Sequence, residues 1–228
     1  MSAELVSSRL SPGSRHTFGR GSAEPYARAL AVGQGKLSVL DVSGAVPAVH
    51  YRVQDWLVRA NDFERSLLRG ARGPVLDIGC GPGRMLVAAE DLGLAAYGVD
   101  SNPLAAAQAR SQGATVFEQS IFDPLPGDFQ TLLLLDGNIG IGGDPQALLG
   151  HLLSIAAPGA RLIVETDPLT RLEARYQAIL VDSAGRSSET FDWARLGSEP
   201  LHRHAADAGW TLLGSVERGG RRVSLLGN

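Results

Sequence analysis

The residues best placed to do chemistry begin with the stretch Val75-Leu-Asp-Ile-Gly-Cys-Gly-Pro-Gly83. Val75, Leu76 and Ile78 make a short apolar run that reads as a buried strand. It passes into Gly79, Gly81 and Gly83 and then into the helical pattern Arg84-Met-Leu-Val-Ala-Ala-Glu-Asp-Leu92. Glycines let a backbone take positive φ and approach a ligand closely. The helix start behind them offers unpaired N–H groups and partial positive charge. Strand, glycine turn and helix together describe a nucleotide-type site. The spacing is Gly-x-Gly-x-Gly, not the Gly-x-Gly-x-x-Gly of dinucleotide folds. Asp77, two residues before the first glycine, gains nothing beside a pyrophosphate but favours a cationic ligand.

A second acid, Asp100, ends the strand-like run Tyr97-Gly-Val-Asp100. An acid there can accept hydrogen bonds from ribose hydroxyls. A ribose-bearing cation with an α-amino group and a sulfonium is S-adenosylmethionine (SAM). With these residues in view, the chain resembles the class I SAM-dependent methyltransferases. Residues 75–83 look like the first motif of that family and residues 98–100 like its second. The resemblance is good over about residues 60–167 and looser beyond. It implies SAM as cofactor, S-adenosylhomocysteine (SAH) as product, and cofactor contacts from Tyr26, Asp77, Gly79, Cys80, Gly81, Asp100, Ser101, Ser120, Ile121 and Asp136. In the family an acid often meets the adenine amino group near Ser120. Here Ser120 stands at that point, with Glu118 and Asp123 nearby.

Asp136, Asn138 and Glu165 are the candidate catalytic residues. Asp136 opens the loop Asp136-Gly-Asn-Ile-Gly-Ile-Gly-Gly143 after an apolar strand, and ligands in open α/β sheets sit at such strand ends. The loop resembles that of a subgroup of bacterial small-molecule methyltransferases; alternatively its glycines only support the cofactor. Glu165 and Asp167 end the next strand and serve as a base, bind a substrate amine, or cap backbone. Tyr26 and Arg28 contact the methionine end or pack. Tyr51 and Trp56 line the substrate site or belong to the core. Arg195 holds an acidic substrate group or makes an ion pair.

The elements that must position these residues follow from periodicity. The fold expected is α/β: a Rossmann-like sandwich with a mostly parallel seven-stranded sheet and an antiparallel final strand. An N-terminal hairpin (37–42 with 49–53) precedes it, and an antiparallel hairpin is inserted at 168–196. Residues 172–180 alternate with period two, hence strand. Asn61 and Ser198 are expected helix caps, and Asn102-Pro103 and Asp144-Pro145 open helices. Residues 1–22 read as a flexible tail or a lid over the ligand, and 23–228 as a single domain with a cap region over 24–70.

Composition sets the limits. The 228 residues suit one domain with a full core. The net charge of −3 lacks the basic footprint of a nucleic-acid binder. Cys80 is the single cysteine, so an intramolecular disulfide is excluded. No signal-peptide pattern or bilayer-length apolar run is visible, so the chain reads as cytoplasmic; no metal cluster is visible, so a metal-dependent mechanism is not expected. The expected partner is a small-molecule acceptor methylated on O, N or C, with no nucleic acid or membrane, in a monomer or homodimer. The competing readings are a SAM-binding protein without catalysis and an NAD-dependent oxidoreductase; glycine spacing and Asp77 speak against the latter.

Overall fold

A computed structural model describes residues 18–21 and 24–228. The expected tail over 1–22 therefore lies, apart from residues 18–21, outside the described residues. In chain order the elements begin with α1 (Pro25–Val32), β1 (Lys36–Asp41), β2 (Val49–Arg52), α2 (Gln54–Leu57) and α3 (Asp62–Leu67). Next come β3 (Val75–Ile78), α4 (Arg84–Glu90), β4 (Ala96–Val99), α5 (Pro103–Ser111), β5 (Thr115–Phe117) and β6 (Phe129–Leu134). A 3₁₀ segment, Asn138–Gly143, leads to α6 (Pro145–Ile155) and β7 (Ala156–Thr166). The chain closes with β8 (Glu173–Asp182), β9 (Phe191–Leu196), α7 (Ser198–Asp207), β10 (Thr211–Arg218) and β11 (Arg221–Gly227).

Seven strands form one sheet in the order β10-β11-β7-β6-β3-β4-β5. The pairs among β3 to β7 are parallel, and β11 runs antiparallel to both β7 and β10. The expected sheet, with its antiparallel final strand, is the one formed. Central strands must be apolar on both faces, and alternate residues of β6 and β7 show it. Leu132, Leu134, Leu162 and Val164 pack under α6 and α7 with Leu148, Leu152, Leu201 and Trp210. Leu133, Leu135 and Ile163 pack on the other face with Phe63, Met85, Leu86 and Ala109. β3 is buried along its whole length, Asp77 included.

The two hairpins expected separately join into one second sheet, in the order β2-β1-β8-β9. Leu37 to Asp41 of β1 pair antiparallel with Asp182 to Ala178 of β8. This pairing spans some 140 residues of sequence, beyond any local signal. Its inner face is a third core of Leu37, Val39, Leu180, Phe191 and Trp193, into which α1 packs Tyr26 and Leu30. The 3₁₀ segment fastens this sheet to the large one. A Cβ on Gly140 would lie 2.2 Å from the Ala194 carbonyl and 2.7 Å from the Trp193 ring. The glycines of this loop thus give room to β9.

Asn61 caps α3 in a full capping box with Glu64. Asn102 and Asp144 cap α5 and α6 with their side chains. The cap of α7 is Gly197, without a side-chain bond, so the expectation for Ser198 fails by one residue. Backbone requirements decide it: a Cβ at 197 would stand 2.1 Å from the Leu169 carbonyl.

Candidate active site

Three turns meet at the carboxyl ends of β3, β4 and β6. After β3, Gly79, Gly81 and Gly83 all have positive φ, and the Gly79 and Cys80 N–H groups donate to the Val99 carbonyl. A Cβ on Gly79 would lie 2.6 Å from the Asn138 amide, and one on Gly81 would be 3.3 Å from the Tyr26 hydroxyl. The turn therefore needs glycine for closeness as well as for φ. After β4, the Asp100 carboxylate accepts from the Gly81 N–H at 2.9 Å and from the Asn102 N–H at 2.8 Å.

After β6 comes Asp136, at φ 54, followed by Gly137 at φ 83. A non-glycine residue in this region is held there by its surroundings. Here the Asp136 N–H donates to Glu165 Oε2 at 2.9 Å, and the Tyr51 hydroxyl donates to the Asp136 carbonyl at 3.2 Å. The carboxylate accepts from Arg84 Nη2 at 2.6 Å. Asn138 donates through Nδ2 to the Ile78 carbonyl at 2.8 Å and the Gly79 carbonyl at 3.1 Å, tying this loop to the glycine turn.

These turns border a cavity. Its walls include Tyr26, Gly79, Cys80, Gly81, Asp100, Ser101, Ser120, Ile121, Asp136 and Asn138, so most of the expected set is gathered at one place. Asp77 is not on the wall; it lies buried in β3 beneath the turn. Glu165 faces a second, adjoining cavity. Tyr51, Trp56, Arg84, Asp136 and Trp193 border both. Asp136 is the one carboxylate common to the two. Phe18 closes the first cavity from the N-terminal side, with its ring 5.4 Å from those of Tyr26 and Trp193.

Arg84, Asp136, Glu64, Arg221 and Glu165 form one charged network; Arg84 and Asp136 border both cavities, the other three the second. Arg84 bonds Glu64 Oε1 through Nε at 3.2 Å and Nη2 at 2.9 Å, and Arg221 Nη1 reaches the same oxygen at 2.7 Å. Arg221 also grips Glu165 with both ends of its fork, Nε to Oε1 and Nη2 to Oε2, each at 2.7 Å. Such bidentate pairs fix geometry as well as charge. Arg195 is bound to Asp167 through Nε at 2.8 Å and to the Pro47 carbonyl at 2.6 Å; of its two readings, the ion pair is the one formed.

Burial dominates the titration of the inner groups. It pushes Asp77 up to about 7 against the pull of Arg84, with Asp136 and Asp100 adding to the rise. It pushes Asp100 up to about 6, held back by the N–H groups of Asn102 and Gly81. Burial also raises the Tyr26 and Tyr51 hydroxyls and the Cys80 thiol, so none is a ready base or nucleophile near neutrality. Burial works against ionised Glu64 too, yet Arg84 and Arg221 bring its carboxyl below the ordinary value.

Arg84, Arg221 and Glu64 escaped the reading of the sequence. Arg84 had a local signal, standing directly after the third glycine. Arg221 had none, because only the β11–β7 pairing brings it to Glu165. Among the described residues, no group of three His, Cys, Asp or Glu side chains is arranged to hold a metal ion. No helix among them is long and apolar enough to cross a membrane.

The fold, with its cleft at the strand ends, is that of a methyltransferase, and residues 48–213 match the family model described as a methyltransferase domain. The chain belongs to that family. Among solved structures it is similar to a SAM-dependent methyltransferase from Bacteroides fragilis in complex with SAH. The TM-score is 0.72 and the identity 19%, covering 90% of this chain and 92% of that one. It is also similar to the 1,6-didemethyltoxoflavin-N1-methyltransferase of Burkholderia thailandensis, at TM-score 0.55 and 16% identity over 73% of this chain and 77% of that one. A sugar N-methyltransferase from Streptoalloteichus gives 0.55 and 19% over 73% and 85%. No curated protein matches the chain in sequence.

Proposed function

We propose that the chain is a SAM-dependent methyltransferase of a small molecule, working in the cytoplasm as a monomer or homodimer. The observation that carries this is the pair of adjoining cavities with Asp136 on their common border. The first suits the cofactor. Glycine backbone lies open on one side, Asp100 offers two acceptor oxygens for a ribose, and Ser120 and Ile121 form the far end toward the adenine. Asp77 supplies negative charge beneath the turn. The second suits the acceptor, and its roof of β2 and β9 residues favours a compact molecule over a polymer.

When bound, SAM supplies the methyl group on a sulfonium, so the protein's task is alignment and exclusion of water. Tyr51, Trp56 and Trp193 wall the junction and keep it dry. The Asp136 carboxylate stands where it can accept an acceptor's N–H or O–H and turn the lone pair toward the first cavity. Asn138 holds the loop against the glycine turn. Glu165, locked by Arg221, positions Asp136 through its backbone N–H and is a positioning residue in this account. The test is incubation with SAM and a panel of amines, phenols and acids, read as SAH release and product mass. Methyl transfer to one of them supports the reading. SAH binding with no transfer to any of the panel favours the SAM-binding protein without catalysis.

A further inference from the structure

Three charged side chains border the first cavity: Arg84, Asp100 and Asp136. Two are acids and one is a cation. The methionine end of the proposed cofactor carries its own carboxylate beside the ammonium and sulfonium. A carboxylate brought into a partly desolvated site needs a donor of opposite charge. Among the described residues lining this cavity only Arg84 supplies one. Its guanidinium is buried, leads α4 directly out of the glycine turn, and borders the acceptor cavity as well. Nε and Nη2 are bonded, while Nη1 makes no hydrogen bond among the described residues. The fork therefore has donors to spare on one side and a replaceable partner, Asp136, on the other. Glu64, bonded to both Nε and Nη2, anchors the guanidinium while that partner changes.

Resting on the cofactor reading above, we infer that Arg84 receives the methionine carboxylate of SAM and exchanges for it the ion pair with Asp136. The ligand-free pair is then a resting state. Cofactor binding frees the Asp136 oxygen that Arg84 held and leaves that carboxylate to Arg221, whose Nη2 stands 3.5 Å away at the border of the acceptor cavity.

The test is calorimetric titration of the full chain with three ligands: SAH, its decarboxylated analogue adenosyl-thiopropylamine, and 5′-methylthioadenosine. The native protein should bind SAH about tenfold or more tighter than the decarboxylated analogue, as a charge-assisted bidentate pair implies. Arg84→Gln should reduce that ratio to about twofold or less, and Arg84→Lys should keep part of it. The affinity for 5′-methylthioadenosine should stay within about threefold in both variants. Asp136→Asn, which removes the competitor, should tighten SAH relative to 5′-methylthioadenosine. It keeps the question open to test if Arg84→Gln does not fold. Equal affinities of the native protein for SAH and its decarboxylated analogue overturn the inference, as does a ratio undiminished in Arg84→Gln. An Asp136→Asn protein with unchanged preference overturns the exchange. If none of the three ligands binds the native protein, the cofactor reading itself falls.

Discussion

The Gly81 N–H donates to Oδ2 of Asp100 at 2.9 Å, so the acid after β4 holds the glycine turn after β3. The two motifs are one structure: the carboxylate that would meet a ribose also sets the backbone that would meet the rest of the ligand. Its second oxygen is occupied by the Asn102 N–H, at the cap of α5.

Asp100→Ala removes the ribose acceptor and both backbone bonds together. It should weaken SAH and 5′-methylthioadenosine alike, by at least about tenfold, since the loss is on the nucleoside side. Calorimetry checks this. Loss confined to SAH would place the role of Asp100 elsewhere.

The raised carboxyls give binding a pH dependence. Asp77 near 7 and Asp100 near 6 are partly protonated in the free protein at mildly acid pH. A cationic ligand favours their ionised forms, so its binding must expel those protons below about pH 7. SAM affinity should therefore rise as pH goes from 5.5 to 7.5 and level off above, with proton release on binding visible in buffers of different ionisation enthalpy. Folding carries the opposite sign. Both groups have folded values above the unfolded ones, so stability falls as pH rises from about 4, the ordinary carboxylate value, to the folded values of about 6 and 7, and Asp77→Asn should relieve its share. A flat affinity profile would contradict the placing of the ligand's charge near these acids.

Asp136→Asn keeps the shape of the junction and removes its charge. Turnover should fall by about a hundredfold or more if the carboxylate orients the acceptor proton, while SAH still binds. Tyr51→Phe, which loses only the bond to the Asp136 carbonyl, should cost less, about 1 kcal/mol of stability. Full activity in Asp136→Asn would move the acceptor site away from this border.

Gly140→Ala tests the junction of the two sheets. Its Cβ would strike the Ala194 carbonyl and the Trp193 ring. Overpacking of this kind costs about 1–3 kcal/mol, which is a fall in Tm of several degrees for a chain of this length. An unchanged Tm would show that the 3₁₀ segment yields and does not fasten the roof.

The sequence made the large sheet legible because its signals are local. Val75 to Ile78 is apolar where a central strand must be, glycines follow it, and Asn102-Pro103 and Asp144-Pro145 open helices with cap and proline together. The gathering of Gly79, Gly81, Asp100, Ser120 and Asp136 around one cavity follows from strand order, whereas Tyr26 is brought there by α1 packing against the second sheet. The roof was legible only in halves, since no periodicity announces that β1 pairs with β8. The charged network stayed hidden for the same reason. Arg221 follows the turn glycines Gly219 and Gly220, and nothing near it in sequence points to Glu64 or Glu165. The space left by the loop glycines at 140, 142 and 143 is taken by Trp193, Phe122 and Asp192, which no local pattern announces.

The most direct measurement is calorimetric titration of the purified chain with SAH, with NAD as control. The account predicts one SAH per chain with micromolar affinity or better and no heat from NAD. Binding of NAD, or of neither, would contradict the assignment of the cavity between residues 79–81, Asp100 and Asp136 to SAM.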